Sequence, residues 1–200
     1  MQGDVKSKPI LFNTAMVQAI LDGRKTVTRR VIKPKPESFG NALIYNGAIC
    51  TKKGVTKEAP YQVGDILWVR ETWLLTDSFG PWNNGYMYKA DEDKNKIVFE
   101  NTGQVEKWRP PIHMPKEAAR IFLKVTDVRV ERLQDIDKFW SSYDKEGMRN
   151  KETENISIAM KERFIGVWDS TIKKKDLDEF RWDANPWVWV IEFERCENAN

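Results

Sequence analysis

The sequence predicts a single α+β domain in which a mixed, mainly antiparallel sheet curls into a small β-barrel flanked by short helices. Three observations carry this expectation. Helix-like and strand-like stretches do not alternate regularly, which argues against a doubly wound parallel sheet. Several segments show the period-2 patterning of half-buried strands, while helical spacing is confined to short runs. Gly and Pro punctuation divides the chain into many short elements, with no internal repeat and no low-complexity linker. At 200 residues the chain suits one hydrophobic core, so residues 1–200 are read as one domain with loop insertions near 36–60 and 75–115.

Asn13 or Thr14 can cap a helix whose apolar face is Met16, Val17, Ala19, Ile20 and Leu21, and Gly23 is its stop. From Lys33 to Asp65, prolines and glycines interrupt every pattern, leaving loop with weak hairpin-like strands. In "GDILWVRETW", Gly64 and Asp65 turn the chain into an apolar strand from Ile66 to Val69, with Arg70 and Glu71 emerging at its end. A hairpin between "YMYKA" and "KIVFE" is expected in the second insertion. Arg120 to Arg132 reads as one long strand: Ile121, Leu123 and Val125 share a face, and the apolar set changes parity at Val128 and Val130, which places a bulge near Asp127. Two helices follow, one ending at Gly147 and one carrying Met160, Phe164, Val167 and Trp168. The chain closes on a core strand with Trp187, Trp189, Ile191 and Phe193 on one face.

Composition excludes several classes. With 40% apolar residues, 32% charged residues and nine tryptophans, the chain is neither disordered nor fibrous. A net charge of +3 is too small to announce nucleic-acid binding, so any electrostatic argument rests on where the charges sit. One histidine, His113, and two cysteines without ligand spacing, Cys50 and Cys196, lead us to expect no metal, no cofactor and no disulfide framework. The opening "MQGDVKSKPILFNT" has no long apolar segment behind its charges, and no run of about 18 apolar residues occurs. A reducing, cytoplasmic setting without a membrane partner is expected.

The stretch "GRKTVTRR" concentrates chemistry behind the first helix. Residues 24–35 hold six bases (Arg24, Lys25, Arg29, Arg30, Lys33 and Lys35) and no acid. Lining a concavity, they would hold phosphate or the oxyanion of a reacting carbonyl, and their mutual repulsion would favour a neutral, basic Lys25. A helix C-terminus also attracts cations for purely structural reasons, and spacing does not decide between the two.

"ILDGRKTVTRR", "GDILWVRETW", "RIFLKVTDVRVERLQDI" and "NPWVWVIEFE", in this order, resemble an ASCH-domain protein of the PUA-like superfamily, in its larger, often phage-encoded form. The resemblance covers most of the chain. It implies a small β-barrel with helices and a cleft for RNA or modified nucleosides. Small bacterial members remove the acetyl group of N4-acetylcytidine with a lysine, a threonine and a distant glutamate. The motif carries these roles onto Lys25 and Thr28, with Arg30 as the motif arginine and Arg29 as an additional base. Glu146 in "DKEGM" is the implied glutamate, with Asp144 and Glu71 as alternatives. Amide hydrolysis would need all three: a base for the nucleophile, a donor for the oxyanion and an acid for the leaving amine.

Arg24, Arg29, Arg30, Arg70, Glu71, Trp73 and Trp108 are the candidate substrate-binding residues, the two tryptophans as stacking partners for a base. Most of the nine tryptophans are expected in the core, and Arg70 with Glu71 could equally form a structural ion pair. The competing function is a non-catalytic RNA-binding module using the same cations. The insertions could cover the cleft in either case.

Overall fold

A computed structural model of the chain describes residues 7–33, 43–45, 48–51, 54–75, 85–91, 107–149 and 156–197. In chain order its elements are β1 (Ser7–Leu11), α1 (Thr14–Leu21), β2 (Val27–Val31), β3 (Leu43–Tyr45), β4 (Ala48–Thr51), β5 (Gly54–Glu58), β6 (Ile66–Arg70), β7 (Trp73–Leu75) and β8 (Tyr86–Tyr88). Then come β9 (Phe122–Arg132), α2 (Ser141–Lys145), α3 (Ile156–Thr171), α4 (Leu177–Phe180) and β10 (Trp187–Cys196), with 3₁₀ turns between.

β10 organises the main sheet because it is apolar on both faces. Trp189, Ile191 and Phe193 pack with Val17 and Ile20 of α1, whereas Val188 and Val190 pack with Tyr143, Met160, Phe164 and Trp168 from α2 and α3. Helices thus cover both sides of a five-stranded sheet ordered β1-β6-β9-β10-β2. The β1–β6 pair is parallel and the others are antiparallel.

The parity change in β9 is a register shift: Glu192 opposes Asp127, and Phe193 opposes Val125, leaving Thr126 as the extra residue. Asn13 caps α1, its Oδ1 accepting from the Met16 N–H at 2.9 Å.

The described residues do not show the expected barrel, and they do not test the expected hairpin between "YMYKA" and "KIVFE". Among the described strand pairings, β1 and β2 are the sheet's two edges, so the sheet is open where a barrel was expected. Arg30 on β2 nevertheless reaches the Leu11 carbonyl at the end of β1, 2.7 Å away, joining the edges through a side chain. In the second insertion, β8 pairs with β7; "KIVFE" lies outside the described residues. The weak strands of the first insertion form a three-stranded sheet, β3-β4-β5. No helix among the described residues is long and apolar enough to cross a membrane.

Candidate functional site

The site begins where α1 stops. Gly23 takes φ +72°, and the N–H groups of Arg24 and Lys25 both donate to the Ala19 carbonyl, which turns the chain sharply out of the helix. The following residues are held between two elements distant in sequence: the Thr26 N–H donates to the Lys145 carbonyl at 2.8 Å, and the Thr26 carbonyl accepts from the Phe193 N–H at 2.9 Å. Lys25 and Glu146 therefore face each other as an antiparallel bridge. Gly147, at φ +80°, permits that approach: a Cβ there would stand 2.8 Å from the Ala19 Cβ and 3.1 Å from the Lys25 Cβ.

Lys25 Nζ donates to Glu146 Oε2 at 2.5 Å and to the Val27 carbonyl at 2.6 Å, and its side chain is fully buried. The other carboxylate oxygen of Glu146 accepts from Arg29 Nη1 at 2.8 Å. Burial pushes the Lys25 ammonium below its ordinary pKa, assisted by Arg30 and Arg29, and Glu146 offsets part of that shift. A lysine in such surroundings exchanges its proton nearer neutral pH than a solvated one.

Two concavities meet at Glu146. An inner cavity of about 140 Å³ lies along the edge of β2, with Thr28, Arg29 and Glu146 on one side and α3 residues on the other. An outer groove of about 630 Å³ runs between α1 and α3, with Arg24, Arg149 and Arg163 among its lining residues. Met16, Glu146, Met148 and Val167 border both. Lys25 lines neither; Glu146 is the member of the pair that a ligand would meet.

The structure brings Lys25, Thr28, Arg29 and Glu146 to one place, and Arg24 and Arg30 frame it. Arg24 Nη1 holds the Gly147 carbonyl at 3.0 Å, fixing the backbone after Glu146. Arg30 stacks on Phe12 at 5.5 Å, and Phe12 also lies 5.9 Å below Lys25 Nζ.

Arg70, Glu71, Trp73 and Trp108 line neither concavity. Arg70 and Glu71 do not pair with each other: Arg70 Nε donates to the Met114 carbonyl at 3.0 Å, while Glu71 accepts two bonds from Arg120, at 2.9 and 3.0 Å. Glu71 is buried, and Trp73 packs with Tyr88, Met114 and Ala118 in a separate core cluster. Asp144, the other alternative to Glu146, has a side chain 39% exposed and pairs loosely with Arg149 at 3.9 Å.

Three features of the site were not read from the sequence. α3 walls both concavities, a role its apolar spacing could not distinguish from core packing. The close approach at Gly147 was legible only as a helix stop. Arg29 was read as an extra base, yet it is the second cation on Glu146.

No family model matches the chain, and no curated protein does. In structure the chain is similar to an ASCH domain from Lactobacillus crispatus JV V101, with a TM-score of 0.45 and 11% sequence identity, over 95% of this chain and 79% of that one.

Proposed function

We propose that the protein is an ASCH-type amidohydrolase that removes an acyl group from the exocyclic nitrogen of a cytidine-like nucleoside, free or within RNA. The observation that carries this reading is the buried Lys25–Glu146 pair, 2.5 Å apart, opening through Glu146 onto a cavity that Thr28 also lines. The resemblance of "GRKTVTRR" to the family's catalytic motif supports Lys25 and Thr28, and Glu146 is the glutamate implied through "DKEGM".

In this reading the Lys25–Glu146 pair works as one proton-exchanging unit. It accepts the proton of the Thr28 hydroxyl, or of a water held by Thr28, as the oxygen attacks the amide carbonyl. The C–N bond then breaks, and the unit returns the proton to the departing amine; where Thr28 attacks, a water then hydrolyses the Thr28 ester, which releases the carboxylate and restores the hydroxyl. Arg29 holds the charge of Glu146, and the nearby guanidinium and backbone N–H groups offer donors to the oxyanion.

The test is release of cytidine from N4-acylated cytidines by the purified protein and by Lys25→Ala, followed by chromatography. Turnover in the protein and a loss of roughly 100-fold or more in the variant are expected; undiminished turnover in a folded variant overturns the mechanism.

A second reading, a non-catalytic RNA-binding module, is favoured by Arg24, Arg149 and Arg163 along the outer groove. It demands affinity for RNA that falls steeply with salt and that survives Lys25→Ala in large part.

A further inference from the structure

The inner cavity has more apolar wall than an acetyl group needs. Its volume of about 140 Å³ is close to the roughly 150 Å³ of an apolar protein cavity that takes up benzene. Thr28 and Glu146 are polar, whereas Met148, Phe164, Val167 and Trp168 give an apolar wall. Met148, Phe164 and Trp168 belong to the buried cluster beneath α3, so the wall is fixed by packing.

The polar end is made of groups suited to a carbonyl. Arg29 lines the cavity beside Thr28 and Glu146, and its Nη1 and Nη2 donate to Glu146 and Glu131 at 2.8 and 3.5 Å. A carbonyl compound with an apolar body suits such a cavity, the oxygen at the polar end and the hydrocarbon against α3.

Resting on the amidohydrolase reading above, we propose that this cavity is an acyl pocket, and that the protein selects apolar acyl groups of about four to seven carbons, butyryl to benzoyl, over acetyl. In the reaction the bond between the acyl carbon and the exocyclic nitrogen breaks and a carbon–oxygen bond to water forms. The products are the carboxylate and the free amine, with no further reactant.

Two measurements test this together. The first compares kcat/KM for N4-acetyl-, N4-hexanoyl- and N4-benzoylcytidine. The second follows binding of benzamide and acetamide, which carry the acyl half alone, by ligand-observed NMR. Both are repeated with Val167→Phe, which adds bulk from a half-buried position on α3; Ile172→Phe narrows the same cavity if the first variant does not fold.

The larger acyl groups are expected to be preferred by on the order of tenfold or more, the discrimination typical of a shaped apolar pocket. Benzamide is expected to bind more tightly than acetamide, and Val167→Phe to reduce both that binding and the benzoyl-to-acetyl ratio by a similar factor. Preference for acetyl, or benzamide binding that is absent or indifferent to the Phe, overturns the pocket. Cleavage of acetylcytidine without benzamide binding leaves the amidohydrolase reading standing and removes this one. Val167-dependent benzamide binding without any cleavage overturns the amidohydrolase reading and the acyl selectivity with it, and leaves only an apolar binding pocket.

Discussion

Gly147 lies against Lys25 with no room for a side chain between them. A Cβ added to the glycine would stand 3.1 Å from the Lys25 Cβ and 2.8 Å from that of Ala19, and the backbone there has φ +80°. Steric crowding and a left-handed conformation thus act on the same residue, next to the carboxylate that partners the lysine. Gly147→Ala is expected to cost about 1–3 kcal/mol and to move Glu146 away from Lys25. Urea midpoints measure the first effect, and turnover per folded molecule measures the second. Full turnover would show that the backbone can relax without displacing the carboxylate.

Glu146→Gln keeps the shape of the side chain and removes its charge. Burial already holds the Lys25 pKa below its ordinary value, and Glu146 works against that shift. Without the carboxylate the lysine pKa falls further. The acidic limb of the kcat/KM profile is therefore expected to move to lower pH, while the plateau drops by roughly 100-fold. A limb that stays in place would belong to another group.

The same lysine should leave a mark on stability. Its folded pKa lies below its unfolded value, so between the two the unfolded chain binds more protons and stability rises with pH. The desolvation cost is fully present below the folded pKa and is relieved as pH approaches the ordinary lysine value of about 10.4. Lys25→Met removes that group, so the difference between protein and variant in urea midpoint should change between neutral pH and about pH 10. A constant difference would mean that the lysine titrates normally in the folded state.

The sequence made the strands legible wherever a side chain's face is decided locally. The parity change at Val128 and Val130 marks the bulge at Thr126, and the run from Trp187 to Phe193 marks the strand that both layers of helix cover. Glu146 was reachable through its motif, because Gly147 fixes it against Lys25 at a separation of 121 positions. The pairing of β8 with β7 was not legible, since a strand of three residues carries too little pattern to name its partner. Nor was the environment of Glu71: charge at a strand end looks the same whether it faces a cleft or an arginine from 49 residues away.

That arginine provides a test that separates structure from function. Arg120 grips Glu71 through Nε and Nη2, bonds Asp91 through Nη1, and lies over the Tyr88 ring at 3.9 Å. Glu71 is 1% exposed, so removing the cation strands a buried carboxylate. Arg120→Met is expected to cost about 3–5 kcal/mol at neutral pH. Burial already raises the Glu71 pKa and Arg120 opposes the rise, so in the variant the carboxyl protonates at higher pH than in the protein. As pH falls through that raised value the stranded charge disappears, and the stability gap between the two proteins should narrow. Adding Glu71→Gln to the variant should recover part of the loss at neutral pH for the same reason. Because this network lines neither concavity, turnover per folded Arg120→Met molecule should match that of the protein. A folded variant without activity would return Glu71 to the substrate-binding surface and remove it from the structural one.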